Sequence, residues 1–160
     1  MTLQRTGCFV ACPDYIVTIH GNWRVVFQSR PILEPTDVAN VHRAFSNESG
    51  IRVGGTFETT IKPEAVAQLL EKFKEARFFS LRDEYRSNVT DNPTYIVSID
   101  TGHSKKSVID YVGKRAGMPK AVTALQDAID AAAQTDRWIK GTPDVIPLLI
   151  AKRVNFSGPL

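Results

Sequence analysis

The chain has 160 residues, of which 42% are hydrophobic and 23% are charged, and its formal net charge is +3. This length and composition are typical of one globular domain with a sizeable core. The 20 Lys and Arg residues are scattered among 17 Asp and Glu, which argues against a nucleic-acid partner. No apolar run is long enough to span a membrane, and residues 1–25 lack the pattern of a signal peptide.

The first predicted elements are two strands. Residues 14–20 and 23–28 are rich in β-branched and aromatic side chains, which favour strands. Gly21 and Asn22 lie between them and predict a two-residue hairpin turn, because both residue types tolerate positive φ. Residues 30–53 contain prolines and no steady period, so they are interpreted as a long loop.

A third strand and an amphipathic helix follow this loop. The strand is predicted over residues 55–61, and Pro63 fits the first turn of a helix. The apolar face of this helix consists of Val66, Leu69, Leu70 and Phe73. It is expected to cover one face of a sheet, and Phe78, Phe79 and Leu81 after it are expected to fill the core.

The second half of the chain predicts two more strands and a second helix. After a turn-rich loop at residues 86–93, the strands cover residues 94–100 and 105–112, and the helix begins at Pro119. Asp110 is expected to pair with a basic side chain across the sheet. The order β-β-β-α-β-β-α predicts an α+β fold with a mainly antiparallel sheet and helices on one face.

The C-terminal segment has a different character. Residues 143–156 predict a short helix that Pro147 weakens. Its apolar face consists of Val145, Leu148 and Leu149. The segment resembles the second helix of an ankyrin repeat, and half a repeat cannot bury its own face. The prediction is therefore a single domain over residues 1–140 and a helical extension over residues 141–160, which either continues into repeats or packs back onto the domain.

The segment from Arg5 to Tyr15 holds both cysteines of the chain, Cys8 and Cys12. This spacing in an irregular segment can bring two Cβ atoms within disulfide range. Two alternatives remain open. The cysteines could be buried thiols that act as small hydrophobes, or one could be a reactive thiolate whose pKa is lowered by Arg5 or His20.

Motifs along most of the chain resemble those of a bacterial domain of unknown function. They are Arg5-Thr6-x-Cys8-Phe9-x-x-Cys12-Pro13-x-Tyr15, Ile19-His20-Gly21-Asn22, Phe78-Phe79-x-Leu81-x-Asp83-x-Tyr85, Thr90-Asp91-x-Pro93-Thr94 and Lys106-x-Val108-x-Asp110-Tyr111. Members of that family often carry an export or lipoprotein signal and often precede ankyrin repeats. Their hairpin usually runs Gly-Asp-Gly, where this chain has Gly21-Asn22-Trp23. The resemblance implies a fold type and an envelope location, and no activity.

Six residues form the candidate functional cluster. They are Arg5, Cys8, Cys12, Asp14, His20 and Asp91. A thiol-dependent hydrolase or redox enzyme would place a cysteine near His20, with Asp14 or Asp91 beside them. Asp91 is also explained by a turn in which its side chain bonds its own backbone.

Neither a metal site nor a cofactor is expected. Cys8, Cys12 and His20 lack the spacing of known zinc motifs, and the chain has no phosphate-binding or nucleophile-elbow motif. No catalytic residue is assigned.

The leading hypothesis is a non-enzymatic protein- or peptide-binding module of the bacterial envelope. A partner would bind along an exposed sheet edge or through the 30–53 loop. The location would be periplasmic or secreted if a signal peptide was removed, and otherwise cytoplasmic. The alternative is a small thiol-dependent hydrolase or redox enzyme that uses Cys8 or Cys12.

Overall fold

The computed structural model describes residues 1–8, 12–29 and 55–141. Within these ranges, seven strands form one sheet. They are β1 (Thr2–Arg5), β2 (Tyr15–Ile19), β3 (Arg24–Ser29), β4 (Gly55–Thr60), β5 (Glu84–Arg86), β6 (Tyr95–Asp100) and β7 (Lys105–Tyr111). The two α-helices are α1 (Pro63–Glu75) and α2 (Lys120–Ala133), with 3-10 turns at Phe78–Ser80 and Gly113–Ala116 and a π turn at Arg137–Gly141. The predicted C-terminal helix and the predicted long loop over residues 30–53 lie outside the described residues.

The strands are ordered β4-β3-β2-β1-β6-β7-β5, and every neighbouring pair is antiparallel except β5 and β7. The predicted α+β fold with a mainly antiparallel sheet is confirmed. The predicted element order lacked β1 and β5. β1 is the central strand, and Leu3 pairs with Val17 on one side and Val97 on the other, all three fully buried.

The core lies between one face of the sheet and the two helices. The helices contribute Val66, Leu69 and Phe73 from α1 and Val122, Leu125, Ile129 and Ala133 from α2. α2 is followed by Trp138, whose indole stacks on Phe57 with 5.0 Å between ring centroids. Burial of these side chains supplies the main stabilisation of the domain.

The segment after α1 agrees only in part with the prediction that its large side chains fill the core. Phe78 is buried and meets Phe73 edge to face, with ring centroids 4.8 Å apart. Leu81 is half-buried against the core. Phe79 is 49% exposed and Leu70 is 39% exposed, so their predicted core positions were wrong. A single 3-10 turn turns successive side chains to different sides, so only one of the adjacent phenylalanines is buried here.

The hairpin between β2 and β3 has a three-residue loop, so the prediction of a two-residue turn was wrong. The His20 N–H donates to the Arg24 carbonyl at 2.9 Å, and the Trp23 N–H donates to the His20 carbonyl at 3.0 Å. Trp23 closes the loop with a φ of 68°, a left-handed conformation that favours glycine. Its side chain is 48% exposed.

Replacing Trp23 with glycine is expected to stabilise the domain by about 0.5–1 kcal/mol. Relief of the left-handed conformation exceeds the entropy cost of glycine, and the half-exposed indole loses little burial. Chemical denaturation measures the change. Asn22→Gly is the matched control, because Asn22 lacks a positive φ and should gain nothing. A less stable Trp23→Gly variant would show that the indole contributes more than its conformation costs.

Candidate functional site

Several of the candidate side chains lie at one end of the sheet, called here the loop end. Strand register pairs Arg5 with Tyr15 and with Tyr95, and Tyr95 with Asp110. At this same end the chain leaves β1 after Arg5 and enters β2 at Tyr15, and the loops at residues 87–94 and 112–119 also lie there. The hairpin that contains His20 and the turn after Asp100 lie at the opposite end.

A disulfide bond joins Cys8 and Cys12, with 5.3 Å between their Cα atoms. It closes the loop that connects β1 to β2. Just before it, the Thr6 N–H donates to the Thr94 carbonyl at 3.0 Å, and the Thr94 N–H donates to Thr6 Oγ1 at 2.9 Å. The loop is thus attached to the segment that leads into β6. Because both sulfurs are in the disulfide, neither cysteine is a free thiol in this structure.

A Cys8→Ser/Cys12→Ser double variant is expected to lose about 2 kcal/mol of stability, since the small closed loop restricts the unfolded chain only modestly. Urea denaturation of the oxidised wild type and the variant gives the difference. Reduction of the wild-type protein should reproduce it. An unchanged midpoint of urea denaturation in both comparisons would mean that the disulfide adds no stability.

Asp130 on α2 connects the helix to β1 and β2. Its carboxylate accepts hydrogen bonds from the Arg5 guanidinium, from the Tyr15 hydroxyl at 2.6 Å and from the Thr135 hydroxyl at 2.9 Å. Burial, and then the negative charge of Asp130, raises the pKa of Tyr15 far above its ordinary value, so the phenol stays a neutral donor. Arg5 also lies over the Tyr95 ring, 4.7 Å from its centroid. Arg5 and Tyr15 of the opening motif therefore hold the second helix on the sheet.

A cleft of about 320 Å³ lies beside this cluster, between α2 and the loop end of the sheet. Strand residues Arg5, Tyr95 and Asp110 line it from one side, and helix residues Thr123, Gln126 and Asp127 from the other. Loop residues complete it: Asn92, Pro93, Val112, Gly113 and Lys114. Rigid elements hold the polar groups, and the loops form the rim, which is a common arrangement in binding sites.

The inner wall of the cleft is built around Asp110, which is 7% exposed. Its carboxylate accepts from the Gly113 N–H at 2.7 Å and from the Gln126 side-chain amide at 2.9 Å. The prediction that Asp110 pairs with a basic side chain across the sheet was wrong, because its carboxylate accepts from these two uncharged donors instead. Val112 precedes Gly113 with a φ of 53°, an unusual conformation for a β-branched residue that costs about 1–3 kcal/mol.

Two polar atoms of cleft residues are buried without a hydrogen-bond partner. They are Arg5 Nε and Thr123 Oγ1. A buried polar group left unsatisfied costs about 1–3 kcal/mol, and such groups are uncommon in folded proteins. Strained backbone and unsatisfied polar atoms in one cleft are typical of functional sites.

The structure brings most of the candidate functional cluster to the loop end. Arg5, Asp14 and the Cys8–Cys12 disulfide lie where β1 ends and β2 begins. Asp91 is exposed in loop 87–94 and accepts from the Thr90 hydroxyl at 3.1 Å. His20 lies at the other end of β2, and His103 lies in the turn between β6 and β7 at that same end. Neither of these two histidines lies next to the cysteines, so thiol catalysis that uses His20 gains no support from this arrangement.

Sequence reasoning missed the contribution of α2 to the site. Asp130, Thr123 and Gln126 were not among the candidate residues. Gln126 did carry a signal, because a polar residue stands beside Leu125 on the buried side of the helix, and a buried polar group requires a partner. Nothing local to Asp130 indicates its contacts with Arg5 and Tyr15, which are far away in the sequence.

The described ranges hold neither a metal-binding cluster nor a membrane-spanning helix. Across residues 1–8, 12–29 and 55–141, no group of three or more His, Cys, Asp or Glu side chains could hold a metal ion. In the same part of the chain, no helix is long and apolar enough to cross a membrane.

The fold and the cleft define an α+β domain with a disulfide bond at the loop end of its sheet. A family model for a domain of unknown function, DUF6438, matches residues 1–133, and the chain belongs to this family. The match covers the sheet and both α-helices. Searches of curated proteins and of solved structures gave no match. The predicted resemblance to a domain of unknown function is confirmed to this extent, and the export habit and the ankyrin association stay predictions.

Proposed function

We propose that the domain is a non-enzymatic peptide-binding module of the bacterial envelope, and that it holds a segment of a partner protein in the cleft at its loop end. The observation that carries this proposal is the pair of unsatisfied buried polar atoms, Arg5 Nε and Thr123 Oγ1, on residues that line one cleft. A ligand that pairs with them removes an energetic cost that the free protein bears.

The frame of the cleft supports binding because it is already ordered. Asp130 fixes α2 on β1 and β2 through its hydrogen bonds with Arg5 and Tyr15, and the disulfide closes the adjacent connection between these two strands. A site that needs little ordering loses less free energy when its ligand binds.

The charges of the cleft favour holding a ligand over catalysis. The Asp110 carboxylate is occupied by Gly113 and Gln126, and Arg5 is paired with Asp130. Groups with such partners position a ligand well but are poorly placed to exchange protons with it.

An envelope location is supported by the disulfide. Such bonds persist in oxidising compartments and are rare in the cytosol. The location is tested by mass spectrometry of alkylated protein from cells that produce it in the periplasm and in the cytoplasm. The proposal expects the disulfide after periplasmic production, and fully alkylated cysteines there would contradict it.

Peptide binding is tested with a displayed random hexapeptide library selected on the oxidised protein. Enriched peptides are synthesised, and their affinities are measured by fluorescence anisotropy. Asp127→Trp places a large ring on the exposed rim of the cleft and should weaken binding at least tenfold, a loss that corresponds to about 1.4 kcal/mol. Gln68→Trp places the same ring on the exposed side of α1, outside the cleft, and should change nothing.

Two outcomes would contradict the proposed function. Either no peptide is enriched on the oxidised protein, or the enriched peptides bind Asp127→Trp as tightly as the wild type.

A further inference from the structure

We infer that the cleft recognises a neutral amide group, whose carbonyl accepts from Arg5 Nε–H and whose N–H donates to Thr123 Oγ1. This inference rests on the proposed function and names the chemical group that the site selects. It concerns a backbone amide or the side-chain amide of Asn or Gln.

The first argument is the chemistry of the two unsatisfied atoms. Nε of an arginine is a donor and never an acceptor, whereas a threonine hydroxyl both donates and accepts. The matching ligand therefore offers at least one acceptor, and a neighbouring donor completes the match. An amide carries both, on the oxygen and the nitrogen that are bonded to one carbonyl carbon, whereas an ester, a ketone or an ether has no donor.

The second argument is charge. The cleft is lined by two cationic side chains, Arg5 and Lys114, and by two carboxylates, Asp110 and Asp127. Arg5 and Asp110 already have close partners. Because the lining carries two charges of each sign, a charged ligand would gain no net attraction to offset the cost of its own desolvation. A neutral dipolar group avoids that cost.

The third argument is size. The cleft volume of about 320 Å³ is at the small end of the range of ligand pockets, roughly 300–1,000 Å³. It accommodates one or two peptide residues. Pro93, Val112 and the Tyr95 ring give it apolar surface, which suits the aliphatic carbon atoms next to an amide.

Binding requires a small adjustment of the lining. Both unsatisfied atoms are closed off from solvent in the free protein, so the Thr123 side chain and the Arg5 stem turn toward the ligand as it enters. Side-chain rotamer changes of this kind are common at binding sites whose backbone stays fixed.

The test uses N-methylacetamide as the probe, followed by ¹⁵N–¹H NMR titration of the oxidised full chain. Saturable shifts are expected at residues 110–114 and 120–127. Methyl acetate has the same shape without the N–H and should bind about tenfold more weakly, the effect of one hydrogen bond. Acetate and methylammonium should produce no saturable shifts there. Equal binding of the amide and the ester, or no binding of the amide, overturns the inference.

Thr123→Val supplies the matched variant, because it keeps the shape and removes the hydroxyl. The variant should bind the amide as weakly as the wild type binds the ester, with ester binding unchanged. Its midpoint of unfolding should equal or exceed that of the wild type, since the hydroxyl has no partner to lose. Thr60→Val, at the far end of the sheet, should leave amide binding unchanged. Full amide affinity in Thr123→Val, or a clearly lowered midpoint, contradicts the assignment of this hydroxyl.

The inference and the proposed function fail in different ways. Selected peptides that bind the cleft without discriminating amide from ester overturn the inference and leave peptide binding intact. Saturable binding of N-methylacetamide with no enriched peptide overturns peptide binding and leaves amide recognition intact.

Discussion

Asp130→Asn is expected to destabilise the domain by about 3 kcal/mol, at the lower end of the cost of removing one partner from a buried ion pair. The side chains of Arg5 and Asp130 are only 19% and 18% exposed. Without the carboxylate, the Arg5 guanidinium loses its compensating charge, and Tyr15 loses a charged acceptor. Urea denaturation followed by circular dichroism measures the change.

Glu71→Gln is the control for this prediction. Glu71 pairs with Lys74 on the surface of α1, and both side chains are more than half exposed, at 63% and 71%. Solvent screens such pairs, so the loss should stay below about 0.5 kcal/mol. An Asp130→Asn variant that loses no more than this control would mean that the hydrogen bonds from Arg5 and Tyr15 to Asp130 do not hold α2 on the sheet.

Gly113→Ala is expected to destabilise the domain by about 2–3 kcal/mol, the upper part of the range for added volume in a packed site. A Cβ atom at this position would lie 2.8 Å from Asp110 Oδ1 and 2.9 Å from Tyr85 Cβ. Backbone or carboxylate must then move, which breaks the hydrogen bond from the Gly113 N–H. The same variant should weaken binding of the selected peptides, because Asp110 forms the inner wall of the cleft.

Gly21→Ala is the control for the glycine prediction. A Cβ at Gly21 would meet nothing within 4 Å, and the residue has no positive φ. Its substitution should change the stability by less than about 0.5 kcal/mol. Equal effects at the two positions would contradict the tightly packed wall around Asp110.

Local signals in the sequence were enough to predict most of the fold. Pro63 marked the start of α1, and alternating β-branched residues marked β2, β3, β6 and β7. β1 was missed because only Leu3 of its four residues contributes to the apolar core. Its strand character comes from pairing with two distant neighbours, β2 and β6, and not from its own composition.

The site could be predicted less well, because its contacts join distant parts of the chain. The opening motif drew attention to Arg5 and the cysteines, and these do lie at the loop end. The partner of Arg5 is Asp130, and that contact depends on how α2 crosses the sheet. Asp110 was expected to need a basic partner, but a glycine N–H three residues later and Gln126 from α2 satisfy it instead.

The most direct test of the account is to locate peptide binding by NMR. The oxidised ¹⁵N-labelled chain is titrated with a pooled mixture of acetylated and amidated tripeptides. Binding at the cleft predicts saturable shift changes concentrated at residues 87–94, 110–114 and 120–127, with little change around Trp23 and the turn after Asp100. Shift changes centred on Trp23 and the turn after Asp100, or no shift changes at millimolar peptide, would contradict the assignment of the loop end as the binding site.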